Sequence, residues 1–130
     1  MNINELRIDC LVNLENEPFR VIGINPPYVD LLGNGNRIRM CDVDSDNLQP
    51  ILLNEEFFKN NGFVMNPYEY GGYCFTNTDV CIDAIETEFG WCIHIDDVDR
   101  VTVFEKCLKY VHELQNIYYV VNGKELSIKL

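Results

Sequence analysis

CLKYVHELQNIYYVVNGKELSIKL, residues 107–130, is the stretch on which the fold turns. Leu108, Val111, Leu114, Ile117, Tyr118 and Val121 recur at helical spacing and make one apolar stripe. Lys109, His112, Glu113, Asn116 and Tyr119 fall toward the other side, with Gln115 at its edge. Lys109 and Glu113 stand one turn apart and can pair weakly. Asn122-Gly123 ends the helix, because both residues tolerate the left-handed conformation of a C-cap. Leu126, Ile128 and Leu130 then alternate with Ser127 and Lys129, the pattern of a strand with one wet face. Two helix starts fit. Thr102 and Glu105 can form a capping box that begins the helix near Val103. Alternatively residues 100–104 (RVTVF) form a strand and the helix begins near Lys109. The β-branched run favours the strand.

The rest of the chain reads as short strands and turns that need such a helix to cover an apolar face. Leu6, Ile8, Cys10, Val12 and Leu14 alternate with Arg7, Asp9, Leu11 and Asn13, giving a first strand over residues 6–14. Residues 19–24 (FRVIGI), 28–32 (YVDLL) and 37–41 (RIRMC) give three more. Gly23 marks a bend or bulge, and Gly33-Asn34-Gly35-Asn36 a hairpin turn. Four short strands with tight turns point to an SH3-like small barrel or a strongly bent antiparallel meander. Asn54 caps a short helix, Glu55 and Glu56 suit its positive end, Leu53 and Phe58 staple it, and Gly62 stops it. That helix is expected to plug the first sheet. Residues 73–77, 79–85 and 91–95 read as strands of a second sheet, with Glu88-Phe89-Gly90 as a hairpin turn. The expectation is one α+β domain over residues 1–130. It comprises a barrel-like β subdomain (1–50) and an α+β subdomain (51–130), whose sheet the C-terminal helix and closing strand cover.

A chain of 130 residues with 47% hydrophobic and 12% aromatic residues has enough material for a packed core. No apolar run approaches the roughly 20 residues that span a bilayer, and the polar N-terminus is not a signal peptide, so a cytoplasmic, non-membrane protein is expected. The net charge is −11, and no Lys or Arg lies between Lys59 and Arg100. Glu69, Asp79, Asp83, Glu86, Glu88, Asp96, Asp97 and Asp99 occupy that interval. Such a surface repels phosphates, which argues against direct nucleic-acid binding. It attracts a basic partner, imitates DNA, or simply keeps the protein soluble, and the last is favoured.

The motifs with chemistry are few. Cys10, Cys41, Cys74, Cys81, Cys92 and Cys107 lack zinc-knuckle spacing and sit mostly among apolar neighbours, so free buried thiols are favoured over bridges or metal. Asp42, Asp44 and Asp46 begin like an EF-hand loop, but Asn47 replaces its glycine and Leu53 its bidentate glutamate, leaving a solvated acidic loop. Cys92 and His94 share one face of a strand, which supplies a thiol and an imidazole but no orienting group. A metal site from Cys92, His94 and Cys81 lacks a fourth ligand. No catalytic residue, cofactor or metal is therefore expected. Tyr68, Tyr70 and Tyr73 form an aromatic loop, equally suited to a partner or to the core. His112, Gln115, Asn116 and Tyr119 are the other candidate binding residues. For Gln115 and Asn116 the capping of neighbouring backbone is the favoured reading.

KYVHELQNIYYVVNGKELSI at residues 109–128 resembles the C-terminal signature of a family of small uncharacterised bacterial and prophage-type proteins. Their pattern is K-Y-hydrophobic-H-x-L-Q-N-hydrophobic-Y, a short apolar run, then G-x-E-L and a strand. Residues 4–13 (NELRIDCLVN) and 49–63 (QPILLNEEFFKNNGF) are similar to the same family. The chain departs at Asp9-Cys10, where members often carry Gly-Asn, so the tight turn of those members lacks its usual residues here. The resemblance implies no activity. The chain as a whole is expected to be a non-enzymatic accessory or protein-interaction protein of mobile-element type, with contacts from the tyrosine loop, the acidic surface or the helix face. An acidic DNA mimic and a small cysteine-dependent enzyme are the rivals.

Overall fold

Period-two patterning in both halves of the chain resolves into two antiparallel sheets in the computed structural model, which describes residues 1–33, 35–68, 72–96 and 102–130. The strands are β1 (Leu11–Leu14), β2 (Glu17–Asn25), β3 (Tyr28–Gly33), β4 (Ile38–Asp44), β5 (Leu48–Gln49), β6 (Val64–Pro67), β7 (Tyr73–Asn77), β8 (Ile82–Thr87), β9 (Gly90–Asp96) and β10 (Thr102–Leu108). The helices are α1 (Glu55–Asn60) and α2 (Val111–Asn122). The fold is α+β. Two compact units result: Met1–Leu52 with Tyr110–Ile117, and Leu53–Lys109 with Tyr118–Leu130. No helix among the described residues is long and apolar enough to cross a membrane. Asn34, Glu69, Tyr70, Gly71, Asp97, Asp99 and Arg100, read above from the sequence, lie outside the described residues.

In the first unit the strand order is β4-β3-β2-β1-β5. Of the two arrangements open to this half, the described residues form the meander, with no closed barrel. Register shifts at Val21/Gly23 and Val29/Leu31 are bulges that bend it, the first at the glycine expected to do so. Cys10, Val12, Val21, Val29 and Leu31 are fully or almost fully buried, with Leu6, Leu14, Phe19 and Leu48 around them. Gly33 is obligatory here: a Cβ would meet the Phe19 ring at 2.6 Å.

The first strand is shorter than its alternation suggests. Residues Ile3–Glu5 form a 310 turn, and Cys10 N–H donates to Arg7 O at 3.0 Å, closing a tight turn. Asp9 takes the left-handed conformation (φ 75°) that Gly or Asn more commonly supplies, so the turn forms without the Gly-Asn pair. The acidic run is not a free loop throughout. Asp42 to Asp44 finish β4, and the Asp44 carboxylate accepts from Asp46 N–H to cap a second 310 turn, Ser45–Asn47.

The second unit has strand order β10-β9-β8-β7-β6. α1 starts as its sequence dictates: Asn54 Oδ1 accepts from Phe57 N–H at 2.8 Å. Gly62 at φ 81° turns the chain so that Phe63 N–H reaches Phe58 O at 3.0 Å. The helix belongs to the second unit. Phe58 centres an aromatic cluster of the second unit, with ring centroids 5.0 Å from Phe63, 5.7 Å from Phe75 and 4.6 Å from Trp91.

Residues 102–108 form a strand, so over its described residues 102–104 the RVTVF segment is strand and no helix begins near Val103. α2 begins only at Val111, which leaves Leu108 buried in β10 and outside the helical stripe. The helix is not confined to the second sheet, because its first turns belong to the first unit. Gly123 ends it at φ 70°, its N–H donating to Tyr119 O at 2.8 Å. The closing strand is absent: residues 124–130 make no ladder. The Asn61 side chain takes a strand's place, accepting from Lys129 N–H at 2.6 Å and donating to Lys129 O at 2.8 Å. All six cysteines are free, but only Cys10 is buried, while Cys41 and Cys107 are exposed.

Candidate functional site

α2 directs its polar residues inward. Val111, His112, Leu114, Gln115 and Tyr118 are all buried, a wider arc than the apolar stripe alone. Gln115 Oε1 accepts from Leu11 N–H at 2.8 Å, and its Nε2 donates to Asp9 O at 3.0 Å. Asn116 Nδ2 donates to Glu5 O at 2.9 Å, and its Oδ1 accepts from the Cys10 thiol at 3.2 Å. These two side chains serve the backbone and thiol of residues 5–11, the stretch whose tight turns leave groups outside the ladder. Tyr119 is exposed. His112, placed by the sequence on the outer side, is an interior residue.

His112 is 1% exposed and neither ring nitrogen makes a hydrogen bond. The Tyr110 ring stacks on it at 5.8 Å, and Glu5 Oε2 lies 3.5 Å from Nε2. Burial pushes its pKa below the ordinary value, outweighing the opposing pull of the Glu113 and Glu5 carboxylates. The folded pKa thus lies below that of the unfolded chain. Stability from burying the neutral ring is complete above about pH 6.5 and falls as the unfolded chain takes up a proton, until the folded pKa is reached. Urea midpoints measured between pH 7 and pH 5.5 are expected to fall, with a contribution from this residue of at most about 1.4 kcal/mol per pH unit. His112→Phe is expected to flatten that slope. Equal slopes for variant and wild type would show that folding leaves the proton uptake of the ring unchanged and would overturn the lowered pKa.

Of the three tyrosines, Tyr68 follows β6 and Tyr73 begins β7. Tyr68 is half-buried, with its N–H bonded to Gly72 O at 3.1 Å, and Tyr73 is 54% exposed opposite Pro67. β6 is an edge strand with all four residues exposed, including Val64 and Met65. The sequence reading missed β6, whose Asn66-Pro67 pair reads as a turn.

On β9, Trp91, Ile93 and Ile95 are buried, so Cys92 and His94 project from the opposite face. Cys92 Sγ and His94 Nε2 are 3.5 Å apart. In β10, Glu105 stands opposite His94 and Cys107 opposite Cys92. In β8, Asp83 flanks His94 on the other side. Partial burial, then the neighbouring Cys107 thiol and Glu105 carboxylate, push the Cys92 thiol above its usual pKa. Cys81 is not part of this group. It sits in the turn before β8 at φ 56°, its thiol donating to Thr78 O at 3.6 Å. The sequence reading found Cys92 and His94 but not their cross-strand partners. The available signal was the E-x-C of residues 105–107, which mirrors the C-x-H of residues 92–94 in an antiparallel pair. No family model, no curated protein and no solved structure matches the chain. The functional reading therefore rests on the arrangement of these side chains.

Proposed function

We propose that this chain is a non-enzymatic, cytoplasmic protein-interaction module of mobile-element type, which binds an extended, basic segment of a protein partner. The observation that carries this reading is the β6 edge. Val64 and Met65 are exposed on that edge, Tyr73 is exposed opposite Pro67 on the next strand, and an edge strand presents backbone groups to which another strand can be added. The basic character of the partner follows from charge. Around that sheet Asp79, Glu86 and Glu88 are exposed, in an interval of sequence without a Lys or Arg. The mobile-element character rests on the family resemblance of residues 4–13, 49–63 and 109–128. The cysteine-enzyme alternative fares poorly, because an attacking thiol needs a lowered pKa and that of Cys92 is raised.

The test is capture of partners from nuclease-treated host lysate by wild type and by a Val64→Glu, Tyr73→Ala variant, with folding checked by Trp91 emission. A protein bound by wild type and lost by the folded variant is the expected result. A partner that both retain, and that high salt releases, would transfer binding to the acidic surface and favour the DNA mimic. No specific partner for either would remove the interaction reading.

A further inference from the structure

We propose that Cys92, His94, Glu105 and Cys107 bind a single zinc-type divalent cation on the outer face of the second sheet. Antiparallel register assembles the donors: two come from β9, and two stand directly across from them on β10. The donor atoms of Cys92, His94 and Glu105 all lie within 4.8 Å of one another. In a tetrahedral site with sulfur about 2.3 Å and nitrogen about 2.0 Å from zinc, the two donors stand about 3.5 Å apart. Cys92 Sγ and His94 Nε2 are separated by that distance, 3.5 Å. The corresponding nitrogen–carboxylate edge is about 3.4 Å. His94 Nε2 and Glu105 Oε1 are 3.9 Å apart, and the Glu105 side chain is exposed and free to rotate inward. Cys107 stands opposite Cys92 in the register, and its exposed side chain can turn toward the fourth position. Thr87 Oγ1, 3.8 Å from Cys107 Sγ, provides an outer contact for that ligand.

The donor types select the metal. Thiolates and an imidazole suit zinc and other soft or borderline cations, whereas magnesium and calcium take oxygen ligands. Four protein donors leave no open coordination position, so the ion serves to fasten β10 to β9 and not to activate water. Neither the β6 edge nor any partner enters into this site, so it stands or falls independently of the interaction reading.

The full chain, reduced and stripped with a chelator, would be titrated with cobalt(II) and then zinc(II). One equivalent is expected to bind, with the charge-transfer band of a cobalt–thiolate bond and the ligand-field bands of a tetrahedral site. Zinc is expected to displace the cobalt and to raise the melting temperature. Removing an outer-shell partner typically weakens metal binding by 10–100-fold, so losing a ligand in Cys92→Ser or His94→Asn is expected to cost at least about 100-fold. Cys41→Ser, at an exposed thiol remote in sequence, is expected to bind as wild type does. Cys107→Ser and Glu105→Gln alter exposed residues, and they decide the matter if a β9 variant does not fold. Absence of the tetrahedral spectrum would overturn the proposal, as would equal zinc affinity in wild type and the ligand variants. A Cys92–Cys107 disulfide that persists in a glutathione buffer would do the same and would make the pair a redox couple.

Discussion

Replacing Phe58 with alanine is expected to remove about 3–5 kcal/mol of stability, the usual cost of a large aromatic truncated in a packed core. Phe58 is completely buried, and its ring packs edge-on to Phe57 and Phe63, stacks with Phe75 and tilts against Trp91. The four neighbours come from α1, the residue after its stop, β7 and β9, so no single element can move to refill the space. Trp91 is the sole tryptophan, and its indole N–H donates to Leu53 O at 3.1 Å, which ties the residue before the α1 cap to β9. Its emission in guanidinium therefore reports on the affected region. Phe89, 71% exposed at the β8–β9 turn, is the control, and Phe89→Ala is expected to change stability by no more than about 0.5 kcal/mol. If the two truncations shift the transition equally, the aromatic cluster is not what holds this unit together.

What the sequence made legible was local. The Asn54 cap, the Gly62 stop, the Glu88-Phe89 turn and the alternation of Trp91, Ile93 and Ile95 each depend on residues within one turn or one strand. What it hid was partnership. Alternation at Leu126, Ile128 and Leu130 says which side chains prefer burial, not whether the backbone finds a ladder. Here Leu126 is buried while an asparagine side chain satisfies Lys129. The same limit governs the candidate metal site. Cys92 and His94 lie two apart in one strand and are visible at once. Glu105 and Cys107 join them only through the register of β10, in a segment where a helix start is the less favoured alternative. α2 is mixed: Gln115 and Asn116 cap neighbouring backbone, the reading the sequence favours, whereas His112, sorted by polarity to the outer side, is buried.

Gln115→Ala is accordingly expected to cost about 2–6 kcal/mol, from two polar backbone groups orphaned at about 1–3 kcal/mol each. The side chain is 3% exposed, and both of its bonds run to the segment between the tight turn and β1. Gln115→Glu is expected to be no better. A carboxylate still accepts from Leu11 N–H, but it cannot donate to Asp9 O and instead sets one acceptor against another while burying a charge. Amide exchange separates this effect from general loosening. Leu11 N–H should lose protection in Gln115→Ala by more than the overall fall in stability requires, whereas Asp9 N–H, held by Val21 O at 2.8 Å, should follow the global change. Uniform loss at both amides would mean that Gln115 supports the unit only as packing volume. Selective loss at Leu11 would show that the polar face of α2 exists to complete a backbone that its own sheet leaves unpaired.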